Sequence, residues 1–137
     1  MALRFRVAAI AVFLTALSMA APSIAQQSPQ ALAPADEYFG RYRLSVLGIA
    51  NVLHQADERL AEGASTVSLE DGPLALAVDA IHDWEAHYPN DPGIARNLIR
   101  LENVYLHAGT ERGRALASNV EAWLAHDYPS YAGAAER

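Results

Sequence analysis

Five histidines, sixteen acidic residues and no cysteine limit the chemistry open to this 137-residue chain. His82 and His87 are five residues apart and so do not share a helix face. His54, His107 and His126 fall on separate segments, and no His-Glu-x-x-His run occurs. His82, Asp83 and Glu85 are neighbours in sequence without a spaced third ligand. The residues therefore assign no metal site. Nucleophilic catalysis needs a serine or cysteine beside a base, usually on a strained turn. No Gly-x-Ser-x-Gly is present, and the serines fall in loops or on polar faces. Asp57-Glu58 and Asp83/Glu85 read as solvated helix faces. With no glycine-rich phosphate loop either, the sequence assigns no catalytic residue and no cofactor, and an enzyme is not expected.

One dense basic-aromatic cluster stands out: Tyr38, Phe39, Arg41, Tyr42 and Arg43. An anion or a peptide carboxylate fits Tyr38, Arg41 and Arg43 as an interaction surface. The competing reading has the arginines lying along the edge of a packed helix with their charged ends in water.

The elements that would position these residues are set by a stretch that occurs twice. Trp84-Glu85-Ala86-His87-Tyr88-Pro89 returns as Trp123-Leu124-Ala125-His126-Asp127-Tyr128-Pro129. The tryptophans are 39 residues apart and the prolines 40. Such a return marks a helical repeat. In each copy Trp84 or Trp123 reads as a packing anchor, Tyr88 or Tyr128 as the helix exit, and Pro89 or Pro129 as the stop. The tryptophans could instead line a ligand groove. His87 and His126 occupy matching positions, which favours a structural role at the exits.

Met1–Ala25 has the three parts of a secretory signal: Arg4 and Arg6, the apolar run Val7–Leu17, and small residues at Ser23 and Ala25. The apolar run is shorter than the ~20 residues of a membrane helix. Cleavage after Ala25 would leave Gln26–Arg137, with eight arginines against sixteen acids and no lysine. That charge repels phosphate backbones, so nucleic acid is not an expected partner. The pattern points to a bacterial periplasm or exterior, with no membrane span after cleavage.

Residues 26–35 read as a flexible lead-in, and 36–137 as one helical domain. Asp36 is the expected cap of a long helix over 36–62, with an apolar seam at Phe39, Tyr42, Val46, Ile49, Leu53, Ala56 and Leu60 and a second stripe at Leu44 and Leu47. Gly63 stops it. Pro73 opens a second helix and Pro89 ends it. Asp91 and Pro92 start a third, closed by Gly109. These two form a hairpin over 73–109. Thr110 caps a fourth helix, which with a short fifth would make a truncated second hairpin over 110–137. No alternating strand pattern is visible.

Tyr88-Pro89-Asn90-Asp91-Pro92 with Ala95, and Tyr128-Pro129-Ser130 with Ala132 and Ala135, resemble the tetratricopeptide-type repeats of bacterial envelope proteins. The pattern is similar to that of the Tol-Pal coordinator and the outer-membrane assembly lipoproteins, over residues 73–137. The repeat exceeds the usual length of about 34 residues, and only two copies occur. The expected fold is all-α: antiparallel hairpins in a short solenoid, or a compact four-to-five-helix bundle, with the first helix as a cap. The resemblance implies a protein- or peptide-binding groove without catalytic residues. Two alternatives stand beside it: a structural envelope protein that self-associates through the 39–60 seam into a homo-oligomer, and a small-molecule binder or enzyme.

Overall fold

The structure, a computed structural model, describes residues 31–64 and 67–134. The proposed signal segment and the first half of the lead-in lie outside the described residues. A small antiparallel hairpin opens the fold: β1 (Tyr38–Phe39) pairs with β2 (Leu44–Ser45), Tyr38 opposite Ser45 and Phe39 opposite Leu44. Four helices follow: α1 (Val46–Ala61), α2 (Gly72–His87), α3 (Pro92–His107) and α4 (Glu111–Asp127). A single 3-10 turn covers Pro129–Tyr131. The molecule is thus mostly helical, as the apolar spacing requires.

The long first helix is the main correction. The chain is not helical from Asp36; α1 begins at Val46, and its cap is Ser45, whose hydroxyl accepts from the Gly48 amide at 3.0 Å. Two residues force the turn before it. Gly40 has φ +70° and Arg43 φ +55°, both outside the right-handed helical region. Gly40 is also pressed against α2, where a β-carbon would come within 2.9 Å of the Ala80 α-carbon. Steps of three and four ran on through 39, 42 and 46 because strands of two residues are too short to impose a period of two. Of the seam, Phe39, Ile49, Leu53 and Ala56 are buried inside the chain, whereas Tyr42 is 65% exposed at the hairpin tip. The second stripe also divides, with Leu44 half-buried and Leu47 65% exposed.

The helix ends follow the expected punctuation. After α1, the Gly63 amide donates to Leu60 and the Ala64 amide to Arg59, with Gly63 at φ +80°, a left-handed C-terminal motif. Gly109 closes α3 in the same conformation, at φ +65°. Asp91 and Thr110 cap α3 and α4 through the amides of Gly93 and Gly113. A short fifth helix is not seen in the described part of the tail; residues 135–137 lie outside the described residues.

α3 is the central helix, with its larger packing surfaces against α4 and α1 and a smaller one against α2. α2 and α3 are consecutive, but their shared turn brings mainly their ends together, and α2 gives part of its inner face to β1 and α1. α1 and α3 place their C-terminal ends side by side, where Asp57 meets His107. α2 and α4 do likewise, with Glu85 meeting Trp123. The helices pack chiefly as α3 on α4, α1 on α3 and α1 on α2, around a core that includes Ile49, Leu53, Ile81, Trp84, Ile94, Leu98, Leu101 and Leu124.

The repeated stretch gives two nearly identical exits. Tyr88 has φ −133° and ψ 61°, Tyr128 φ −132° and ψ 57°. Each donates its amide to the carbonyl four residues back, at 2.8 Å. A following proline clashes with a helical residue before it, so both tyrosines leave the helical region. The tryptophans are not equivalent, however. Counting back four residues from the exits matches Trp84 with Leu124, not Trp123. The extra residue Asp127 rotates the second copy by about 100° on the helix. Trp84 and Leu124 are fully buried, while Trp123 is half-buried on the flank of α4. The same offset removes the match between His87 and His126.

Candidate functional site

The hairpin carries Tyr38, Arg41 and Arg43, and of these three α2 engages Arg41. The backbone amides of Gly40 and Arg41 donate to Asp83 (2.7 Å) and Asp79 (3.0 Å). The Arg41 side chain reaches the same Asp79 carboxylate at 3.4 Å. These donors, the Arg41 amide foremost, hold the Asp79 pKa below the usual aspartate value. Arg43 lies over the Tyr38 ring, 5.5 Å from its centroid. The cluster foreseen from sequence is therefore real as a neighbourhood, but its turn binds the protein's own carboxylates.

The histidines do not converge. His54 pairs with Glu58, His107 with Asp57 and His126 with Asp127. The His87 ring meets the Asp83 carbonyl. His82 stacks on Trp123 at 4.1 Å between centroids, and Trp123 donates its indole N–H to Glu85 at 3.0 Å. Among the described residues no three histidine, aspartate or glutamate side chains are grouped to hold a metal ion.

The exits are stitched to the rest of the fold. The Tyr88 hydroxyl donates to Glu37 at 2.5 Å, and the Tyr128 hydroxyl donates to the Pro89 carbonyl at 3.2 Å, joining the two copies. Hydrogen bonding to Glu37 raises the Tyr88 pKa. Burial raises those of Tyr105 and Tyr128, with Glu70 and Glu85 respectively adding to the effect. In all three the neutral phenol is favoured in the folded state. Its contribution is complete below the ordinary value of 10.0 and is lost as pH rises through the elevated folded values. Stability should therefore decline above about pH 10. An alkaline titration followed by phenolate absorbance and circular dichroism should show part of the phenolate signal appearing together with helix loss. Full ionisation while helicity is intact would contradict it.

A groove of about 430 Å³ lies between α1 and α3. Leu47, Ala50, Asn51, Leu53, His54 and Asp57 come from α1; Arg100, Asn103 and Val104 come from α3. Leu53 and Val104 make a buried floor. Leu47 stands exposed at one end, and the Asp57–His107 pair (2.5 Å) closes the other. The side-chain carboxamides of Asn51 and Asn103 make no hydrogen bond to any described residue, and the Arg100 guanidinium has no carboxylate partner among them. The walls thus offer two free carboxamides and one free cation above an apolar floor. Sequence reading missed this site. Its signal was faint: Leu47, Asn51 and His54 share one face of α1, and Arg100 and Asn103 one face of α3. Nothing local shows that the two faces meet.

No protein-family model, no curated protein and no solved structure matches the chain.

Proposed function

We propose that the chain is an exported helical-repeat module of the bacterial envelope, tetratricopeptide-like in type, that holds an extended protein or peptide segment in the α1–α3 groove and carries out no catalysis. The observation that carries this reading is the pair of unpartnered carboxamides, Asn51 and Asn103, on the walls of an open groove. A carboxamide has a donor and an acceptor, the same pair that a peptide unit presents. Such a group hydrogen-bonds a passing backbone whatever its side chains are, while Leu47, Leu53 and Val104 offer apolar contact. Each helix of 16 residues is about 24 Å long, enough for about seven residues of extended chain. The signal-like Met1–Ala25 supports export, and the repeated Tyr-Pro exits support the repeat reading.

Panning the purified protein against immobilised random decapeptides tests this. Binders should be recovered, and the double variant Asn51→Ala/Asn103→Ala should lose them with an unchanged melting midpoint. Recovery of no binder, or retention by the double variant, would retire the reading.

A further inference from the structure

We infer that the segment held in the α1–α3 groove is acidic, and that Arg96 and Arg100 select it; this rests on the peptide-binding reading of the groove. Arg100 lines the groove directly. Arg96 lies one turn earlier on the same face of α3, also exposed. Neither has an ion pair or hydrogen bond to a described residue. Among the described arginines Arg41 pairs with Asp79 and Arg112 with Glu70, whereas Arg96 and Arg100 have no carboxylate partner in a chain whose full net charge is −6. Two arginines one turn apart repel each other mildly, at a cost comparable to other like-charge pairs on a helix. An incoming carboxylate removes that repulsion and finds a planar, bidentate donor.

The groove is polarised along its length, which gives the ligand a direction. α1 and α3 run in parallel. Toward the α1 N-terminus the groove is lined by Leu47 and Asn51, with Arg100, at the middle of α3, on the facing wall; Arg96 stands one turn beyond the lining toward the α3 N-terminus. Toward the α1 C-terminus the lining ends in Asp57, already tied to His107, and in His54, whose partner is Glu58. An aspartate or glutamate of the ligand therefore belongs over the N-terminal half. A basic ligand residue meets unpaired cations there, and at the other end finds acids with partners. Arg43, Arg59 and Arg114 also lack an ion pair, but none of them lines this groove, so only here do unpaired cations stand beside an apolar floor and free carboxamides among the described groove residues.

The decapeptide library separates this inference from the reading it rests on. Wild-type binders should be enriched in Asp and Glu. A recovered acidic peptide should bind about tenfold more tightly than its Asn/Gln counterpart, the preference shrinking as salt is raised. Arg96→Gln/Arg100→Gln should abolish the enrichment and the preference while still binding the amide counterpart as wild type does, with an unchanged melting midpoint. Binders without acidic enrichment, or enrichment that survives Arg96→Gln/Arg100→Gln, overturn the acidic specificity and leave the groove reading in place. No binders of any charge overturn both.

Discussion

Trp84→Ala is expected to lower the stability of the fold by about 3–5 kcal/mol, the largest loss from any single truncation in this chain. Trp84 is 1% exposed and sits where three parts of the chain meet. The Phe39 ring, from β1, stacks on it with 5.7 Å between centroids and 13° between planes. On another side the indole presses on Gly93, in the first turn of α3, so closely that a β-carbon there would come within 2.7 Å of the ring. Truncation therefore leaves a cavity that the backbone of α3 cannot simply fill, and it unpins the hairpin from α2. Trp123→Ala should cost only about 1 kcal/mol, the worth of a partly exposed aromatic contact. Its contacts are the stack on His82 and the bond to Glu85, both at the flank. Urea unfolding of the two variants checks this. Equal losses would mean that the indoles are equivalent after all, and an unchanged midpoint for Trp84→Ala would refute its core role.

This contrast also shows how far the sequence could be read. The spacing of 39 between tryptophans and 40 between prolines contained the answer, because the exits align on the prolines and the tryptophans then cannot. Local chemistry is what a sequence states well. Asp91, Pro92, Thr110, Gly63, Gly109 and the two Tyr-Pro exits all act within a few residues of themselves, and each is where it was expected. The hairpin at Tyr38–Ser45 was hidden because its apolar residues happen to continue the spacing of α1. What stops the helix there is the positive φ of Gly40 and Arg43, held by Asp79 and Asp83 some forty residues away. The groove was illegible for the same reason. Asn51 and Asn103 are ordinary polar residues on helix surfaces until α1 and α3 are laid side by side.

The second large effect is expected at Asp91, where a cap that sequence did reveal turns out to do more than cap. Asp91→Ala should cost about 3 kcal/mol, against about 1 kcal/mol for removal of an ordinary N-cap. Asp91 is 5% exposed, and its two oxygens accept three hydrogen bonds. Oδ1 takes the Gly93 amide at 2.7 Å, which is the cap itself. Oδ2 takes the buried Trp84 indole N–H at 3.2 Å and the Ala33 amide, 58 residues away, at 2.8 Å. Alanine leaves the Gly93 and Trp84 donors buried without a partner and releases the Ala33 segment from the α2–α3 turn. Thr110→Ala is the internal control, because Thr110 is an exposed cap whose bond goes only to the Gly113 amide. Asp91→Asn should fall between wild type and Asp91→Ala: its carbonyl still caps Gly93, but its NH2 faces two other donors. In a double-mutant cycle, Trp84→Phe should cost less on the Asp91→Ala background than on wild type, since the indole N–H has then lost its acceptor already. Additive losses, or an Asp91→Ala loss no greater than that of Thr110→Ala, would reduce Asp91 to a helix cap and leave the alignment of α2 on α3 to the Trp84–Gly93 contact alone.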